Sequence, residues 1–248
     1  MSSKTFTLHC IFVLCLVSLS EEKLKKVKIG VILPMTGNHP WTIPQCGPAI
    51  EYAIDTIRKT PNFLRNYRIK VSYKDSQCSQ VAAPHAAIDF YVEKAAHVFI
   101  GPACKYAVAP VARFSFKWRI PVITAGALVS AFKDKGEYKL LTRILGSYAK
   151  AGSFVMEILN HWHWKAVGMI FNDIVGDNSN AGKSNCFFTL EPIYKALASM
   201  HGKKPWHLNF DESKTTVADY ESFLQTASRN ARTNQRMRHI LSSATVRM

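Results

Sequence analysis

Residues 97–127, HVFIGPACKYAVAPVARFSFKWRIPVITAGA, constrain this chain more than any other stretch. Val98, Phe99 and Ile100 form an apolar run that stops at Gly101-Pro102, a turn signal. Pro110 is best tolerated in a helix's first turn, which places a helix from about Ala107 to Trp118. Residues 120–124 form a second apolar run, halted by Ala125-Gly126-Ala127. Two buried strands joined through a helix make a parallel crossover. The loop at 101–104 then lies beyond a strand's carboxyl end, where such sheets hold their ligands.

The same alternation extends along the chain. Residues 27–33 (VKIGVIL) read as a first strand, and residues 48–58 as a helix with Ala49, Ile50, Ala53, Ile54 and Ile57 on one face. Residues 68–73 alternate with Ile69, Val71 and Tyr73 on one side, and residues 82–95 are helical. Beyond 138–144 the pattern restarts. A helix is expected at 148–161, with Ala151, Val155, Ile158 and Leu159 on one side, a buried strand at 167–171, and a helix at 189–200. A strand at 207–210 and a helix at 217–227, with Tyr220, Phe223 and Leu224 apolar, complete it. Strand and helix in strict alternation give an α/β fold of two doubly wound parallel-sheet lobes. The lobes are expected at residues 27–143 and 144–248, the second incomplete, because the polar and basic run after Ala227 carries little of a further strand.

The two ends differ from the body. Lys4 followed by a mostly apolar stretch at 8–19, and small residues at Ser18-Leu19-Ser20, reads as a signal peptide over residues 1–20. Its apolar run is too short to cross a bilayer, and no run of about 18 apolar residues occurs elsewhere. Secretion would remove Cys10 and Cys15 and leave Cys46, Cys78, Cys104 and Cys186, which allow three complete pairings. The net charge of +15 calls for an acidic partner or surface. The cations are nevertheless spread along the chain apart from residues 23–28 and 229–247, without the aromatic interleaving of a single-strand binder, so nucleic acid is not expected.

Nothing in the sequence builds a catalytic centre. His161-Trp162-His163-Trp164 places its histidines two apart, pointing away from each other on a helix, with no third ligand at suitable spacing. Residues 176–184 have five residues between glycines where a phosphate loop needs four, which makes a solvent loop the better reading. There is no GxSxG or HExxH. An anion site is more plausible. The amides of Ala103 and Cys104, at a helix start after a strand, can point into one space, and Ser76 would add a hydroxyl if a Cys78–Cys104 bridge pinned the loops together; on local sequence alone an ordinary N-cap arrangement is the better reading.

GPACKYAVAPVARF with WRIPVITAGA, DSQC at 75–78, EYKLLTRI at 137–144, SYAKAG at 147–152 and NCFFTLE at 185–191 occur here in one order. Together they resemble the ligand-binding ectodomain of natriuretic peptide receptors, both guanylyl-cyclase-coupled and clearance types, over about residues 27–247. The resemblance implies the type I periplasmic-binding-protein architecture, a disulfide between Cys78 and Cys104, and a chloride ion at Ser76, Ala103 and Cys104. It implies a natriuretic-type peptide hormone held by Tyr106, Arg113, Tyr138, Phe187, Phe188, Glu191, His207 and Phe210. It further implies a homodimer clasping one peptide in the full-length receptor, and attachment to a membrane only through a transmembrane segment missing from this sequence. Phe187 and Phe188, being consecutive, cannot both face one core from one side of a helix, which favours exposure.

Departures from the pattern are also present. The family's partner for Cys186 would fall near Ile240 or Leu241, neither a cysteine, leaving Cys186 free, paired with Cys46, or paired in a longer form. Gln80 and Asn209 stand where cyclase-type members can carry an acid, the loop at 176–184 is long, and no Asn-x-Ser/Thr acceptor is present. The rival readings are a bilobal binder of an amino-acid-type ligand, and a secreted decoy or nonfunctional fragment. Incomplete lobes would expose apolar surface. The isolated chain is therefore expected to be poorly soluble with a broad thermal transition, and a sharp, reversible melt would contradict this.

Overall fold

A computed structural model describes residues 24–173, 183–202 and 204–231, together with the backbone of 240–242. The expected signal peptide and nearly all of the loop at 176–184 fall outside the described residues.

The first lobe grows outward from a central strand. β1 (Lys25–Leu33) runs through α1 (Ile43–Lys59) to β2 (Tyr67–Asp75), which pairs with it in parallel along its whole length, from Lys25↔Tyr67 to Leu33↔Asp75. α2 (Ala82–Val92) crosses back to β3 (Val98–Ile100), which lies on the other side of β1. α3 (Lys105–Trp118), β4 (Val122–Thr124) and β5 (Leu141–Arg143) complete a five-stranded parallel sheet in the order β2-β1-β3-β4-β5. The order reverses between β1 and β3, and the loops leaving their carboxyl ends splay apart there.

The second lobe repeats the plan with α4 (Ala149–His161), β6 (Gly168–Asn172), α5 (Asn185–His201), β7 (Trp206–Phe210), α6 (Val217–Asn230) and β8 (Ile240–Ser242). Its parallel sheet has the order β7-β6-β8. The doubly wound arrangement is thus present in both lobes, and a strand does follow the polar run after Ala227.

Burial explains why these segments hold. Phe90, Phe99, Val108, Val111 and Val122 are almost fully withdrawn from water in the first core, so β3 is apolar on both faces, as a central parallel strand must be. A separate core gathers Leu159, Met169, Phe171, Leu190 and Leu197. On α1 the expected apolar face is narrower than its pattern: Ile54 is buried and Ile50 and Ile57 half-buried, while Ala49 and Ala53 are exposed. Alanine is small enough to sit beside the contact line without covering it.

Three helix starts differ from expectation: α1 begins at Ile43, five residues early, with Pro48 inside it. α3 begins at Lys105, making Pro110 its sixth residue, and α5 begins at Asn185, four residues early, with Pro192 inside it. The Ser184 side chain accepts the Phe187 N–H at 3.0 Å and caps α5. In α3 and α5 the internal proline removes the donor for the carbonyl four residues earlier, Tyr106 and Phe188 respectively. The lost rung falls in the first turn or just after it, so both helices tolerate it.

A disulfide joins Cys78 to Cys104, with Cα atoms 5.4 Å apart. It ties the loop after β2 to the loop after β3 across 26 residues of chain. On the chain-entropy model that closure stabilises lobe 1 by roughly 3.5 kcal/mol. Replacing both cysteines by serine is therefore expected to accelerate native-state hydrogen exchange of the β1 and β3 amides. Unchanged protection of β3 would show the bridge to be energetically idle.

Candidate ligand-binding site

The loops at the carboxyl ends of β1, β2 and β3 form a niche. Ser76 is fully buried, and its Oγ accepts the Cys78 N–H at 3.3 Å. Gln77 and Cys78 both have left-handed backbone, at φ 49° and 52°, which costs about 1–2 kcal/mol for each such residue. The disulfide fastens that strained turn to the start of α3. Cys104 is the residue before α3, and its sulfur is committed to the bridge, so no side chain caps the helix. Among the described residues no backbone carbonyl takes the amides of Ala103 or Cys104.

The niche wall is built to close tolerances. Gly101 adopts φ +85°, and a Cβ there would lie 2.3 Å from the Ile32 carbonyl oxygen. A Cβ on Gly126 would lie 2.0 Å from the Ala103 carbonyl oxygen, so the loop after β4 and the 101–104 loop touch backbone to backbone. Thr124 Oγ1 donates to the Pro102 carbonyl at 2.6 Å and accepts from Gly126. Trp41 donates its indole N–H to the Cys104 sulfur at 3.4 Å. The neighbouring carboxylate, Asp75, is occupied by the amides of Met35 and Gln77, both at 2.8 Å. Uncapped amides and a buried hydroxyl suit a small anion.

The first turn of α3 meets the second lobe. The Lys183 amide donates to the Tyr106 hydroxyl at 2.6 Å, and Lys105 donates to Asn185 Oδ1 at 2.7 Å. The Phe188 ring stands edge-on to Tyr106 at 6.0 Å and beneath the Lys105 ammonium, and it packs against the first core. Phe187, its neighbour in sequence, lies at 88° to it and packs into the second core. The two phenylalanines are therefore not jointly exposed. A helix between two lobes has two cores to serve, and one ring goes to each.

An apolar hollow of about 330 Å³ opens beside Phe187. Its lining includes Phe171, Phe187, Leu190, Tyr194 and His207, with Glu191 and Lys195 at the polar margin. Glu191 accepts from Lys195 Nζ at 2.6 Å. His207 stacks on Phe171 at 6.3 Å and meets Tyr194 edge-on at 5.1 Å. Three of the expected contact residues, Phe187, Glu191 and His207, converge here. Tyr194 and Lys195 escaped the sequence reading, although Phe187, Leu190, Glu191 and Tyr194 fall at helical spacings of three, four and seven.

Other residues lie elsewhere. Phe210 is on the opposite face of β7 from His207, since side chains alternate along a strand. Its ring packs on Tyr220 at 5.4 Å and Phe223 at 5.9 Å under α6. Arg113, two turns along α3 from Tyr106, donates to Glu137 at 2.5 Å and to the Tyr138 hydroxyl at 2.9 Å. The Tyr138 ring is buried edge-on against Phe132, and burial raises its hydroxyl pKa. Cys46 and Cys186 are both free, so they do not pair with each other. His161 closes α4, where Trp162 stacks on Trp164 at 5.4 Å in a helix-end aromatic cluster. Among the described residues no group of metal-ligating side chains and no membrane-length apolar helix occurs.

A family model described as "Receptor family ligand binding region" matches residues 45–245. The chain belongs to this receptor family. Among relatives of this receptor chain, the bovine (Bos taurus) protein named atrial natriuretic peptide receptor 3 is 32% identical over 197 residues, covering 77% of the chain and 35% of the relative. Mouse (Mus musculus) atrial natriuretic peptide receptor 2 is 33% identical over 177 residues, covering 70% of the chain and 16% of the relative. The receptor chain thus spans about a third or less of these relatives' lengths. Its two-lobed fold is shared with the solute-binding protein of an ABC transporter from R. palustris, solved in complex with 4-hydroxybenzoate. That match has a TM-score of 0.58 and 14% identity, and covers 82% of the receptor chain and 51% of the other. Type I periplasmic-binding-protein architecture is therefore the fold.

Lys105 offers a test of the contact between lobes. Burial lowers its pKa to about 8 from 10.5, with the nearby Cys186 thiol acting in the opposite direction. A base with a depressed folded pKa opposes folding below pH 8, where its ammonium is buried charged. That opposition fades as pH rises from 8 to 10.5, because the unfolded chain then binds the extra proton. Amine acylation followed by mass spectrometry is expected to show half-maximal Lys105 reactivity near pH 8. A midpoint above pH 10 would mean that the seam is solvated.

Proposed function

We propose that this chain is the extracellular hormone-binding segment of a natriuretic-peptide-type receptor. The apolar hollow beside Phe187 carries the reading: it has aromatic walls, a carboxylate at its margin, and belongs to a chain whose relatives are named for that hormone class. An apolar side chain of the peptide fills the hollow between Phe187, Tyr194 and His207. A neighbouring arginine of the peptide competes with Lys195 for Glu191 through a bidentate pair. Tyr106 and Arg113 present the first lobe's surface to the same ligand, with Tyr138 holding the Arg113 guanidinium in place. Phe188 and Phe210 act from behind, one fixing the lobes and the other bracing β7 on α6.

Chloride occupies the niche at Ser76, Ala103 and Cys104, where buried donors and a helix start favour an anion. It would stiffen the first turn of α3, and with it Tyr106. Two copies of the receptor clasp one peptide, and the change in their arrangement is passed to the rest of the protein. The exposed rings of Tyr91 and Phe114, stacked on half-buried Trp118 across α2 and α3, form an apolar face on which a second copy can rest. Any cyclase activity belongs to sequence outside this chain. A binder of amino-acid-type ligands would keep polar room between its lobes; here Tyr106 and Phe188 fill that seam.

The test is saturable binding of a labelled cyclic natriuretic-type peptide to the chain made in an oxidising secretory system, in chloride and in gluconate. Phe187→Ala is expected to weaken binding by about thirtyfold, the scale of a hot-spot aromatic. Replacing chloride should weaken it as well. Displacement by free amino acids, or absence of saturable binding in chloride, would overturn the reading.

A further inference from the structure

At the opposite end of the first sheet from the niche, the fold collects positive charge that the sequence keeps apart. The parallel register sets Lys26 beside Arg68 and Lys28 beside Lys70. Partners in register emerge on the same face, so two like-charged pairs stand in succession, an arrangement that disfavours folding unless a counter-charge is supplied. β2 is the edge strand, and Lys26, Arg68 and Lys70 are exposed. Among the described residues, none of these three has a carboxylate within ion-pair distance.

The surface there is grooved. A hollow of about 460 Å³ at this edge is lined by residues of both faces of the sheet: Lys26, Arg68 and Lys70 share one face, and Ile69 and Val71 share the other with Ile54 and Arg58 of α1. Its acid, Glu51, accepts the Tyr73 hydroxyl at 2.8 Å. An adjoining hollow, also of about 460 Å³, shares Arg58 and Arg68 and adds Arg65 with the exposed rings of Phe63 and Tyr67. The two adjoin through Arg58, Arg68 and Ile69 and form one track; Arg58 pairs with Asp55 at 3.1 Å, which leaves Lys26, Arg65, Arg68 and Lys70 as its cations without a carboxylate among the described residues, with flat apolar surface at one end.

We infer that this track binds a linear sulfated polysaccharide. Spaced cations on a groove match a repeating anionic polymer better than a compact ion, which needs converging donors. The disulfide places the chain in an oxidising compartment, where sulfated glycosaminoglycans are the abundant polyanions and nucleic acids are scarce. Phe63 and Tyr67 offer faces on which a sugar ring can lie. The inference does not depend on the hormone reading. Six residues of β1 separate Lys26 from Leu33 at the niche, roughly 20 Å or more of extended strand, so the two sites can be filled together.

A fluorescent heparin-derived decasaccharide titrated into the full chain at several salt concentrations tests this. Binding is expected to be saturable and to weaken steeply with salt by counterion release. Arg68→Gln with Lys70→Gln should weaken it by about tenfold at physiological salt and lower the log–log salt slope by about two, roughly one for each cation lost. Lys26→Gln, on the neighbouring strand, should act in the same direction. A charge-matched control, Lys117→Gln with Lys139→Gln, alters lobe 1 away from the track and should change affinity less than twofold. Equal weakening by both double variants would reduce the effect to bulk charge and overturn the site. So would tighter binding of a single-stranded oligonucleotide or of phosphatidylserine vesicles at matched charge.

Discussion

Phe187 and Phe188 project at right angles from the first turn of α5, one into each lobe's core, and the arrangement of the two lobes depends on that divergence. Phe188 seals the seam against Tyr106, while Phe187 forms a wall of the hollow. The aromatic contacts run without a break from Phe171 through Phe187 and Phe188 to Tyr106. A ligand that moves the Phe187 ring therefore acts on the contact between the lobes through two ring-to-ring steps. Aromatic pairs are worth about 0.5–1.5 kcal/mol beyond their buried area, comparable to the coupling energies through which sites commonly communicate.

The start of α3 serves two surfaces at once. Its cap residue, Cys104, is bridged to Cys78, and its first side chains, Lys105 and Tyr106, meet the second lobe. The disulfide thus acts at a distance of one residue from the seam. Backbone contact at Gly101 and Gly126 leaves that loop little room to adjust, so strain in the niche is transmitted to Tyr106 and not absorbed locally.

Much of this could be read from the sequence, for physical reasons. Central parallel strands must be apolar on both faces, so residues 98–100 and 167–171 declared themselves, and turn chemistry marked their ends. The start of α5 was missed because the apolar pattern that signals a helix begins later than its cap, and Ser184 was not read as one. Pro110 misplaced the start of α3, since a proline costs one rung but not the helix when that rung is near the end. Phe210 was grouped with His207 although three residues along a strand reverse the face. The cationic track was invisible for a different reason. Lys26 and Arg68 are brought together by register, which no local pattern encodes.

Pro110 and Pro192 fall four residues after Tyr106 and Phe188, the two rings that touch across the seam. Each helix is consequently missing a backbone tie between its leading turn and its body, at the place where it meets the other lobe. The molecule has in effect two weakened wrists pressed together. Rocking of one lobe against the other can be taken up by bending these leading turns, leaving both sheets and both cores undistorted.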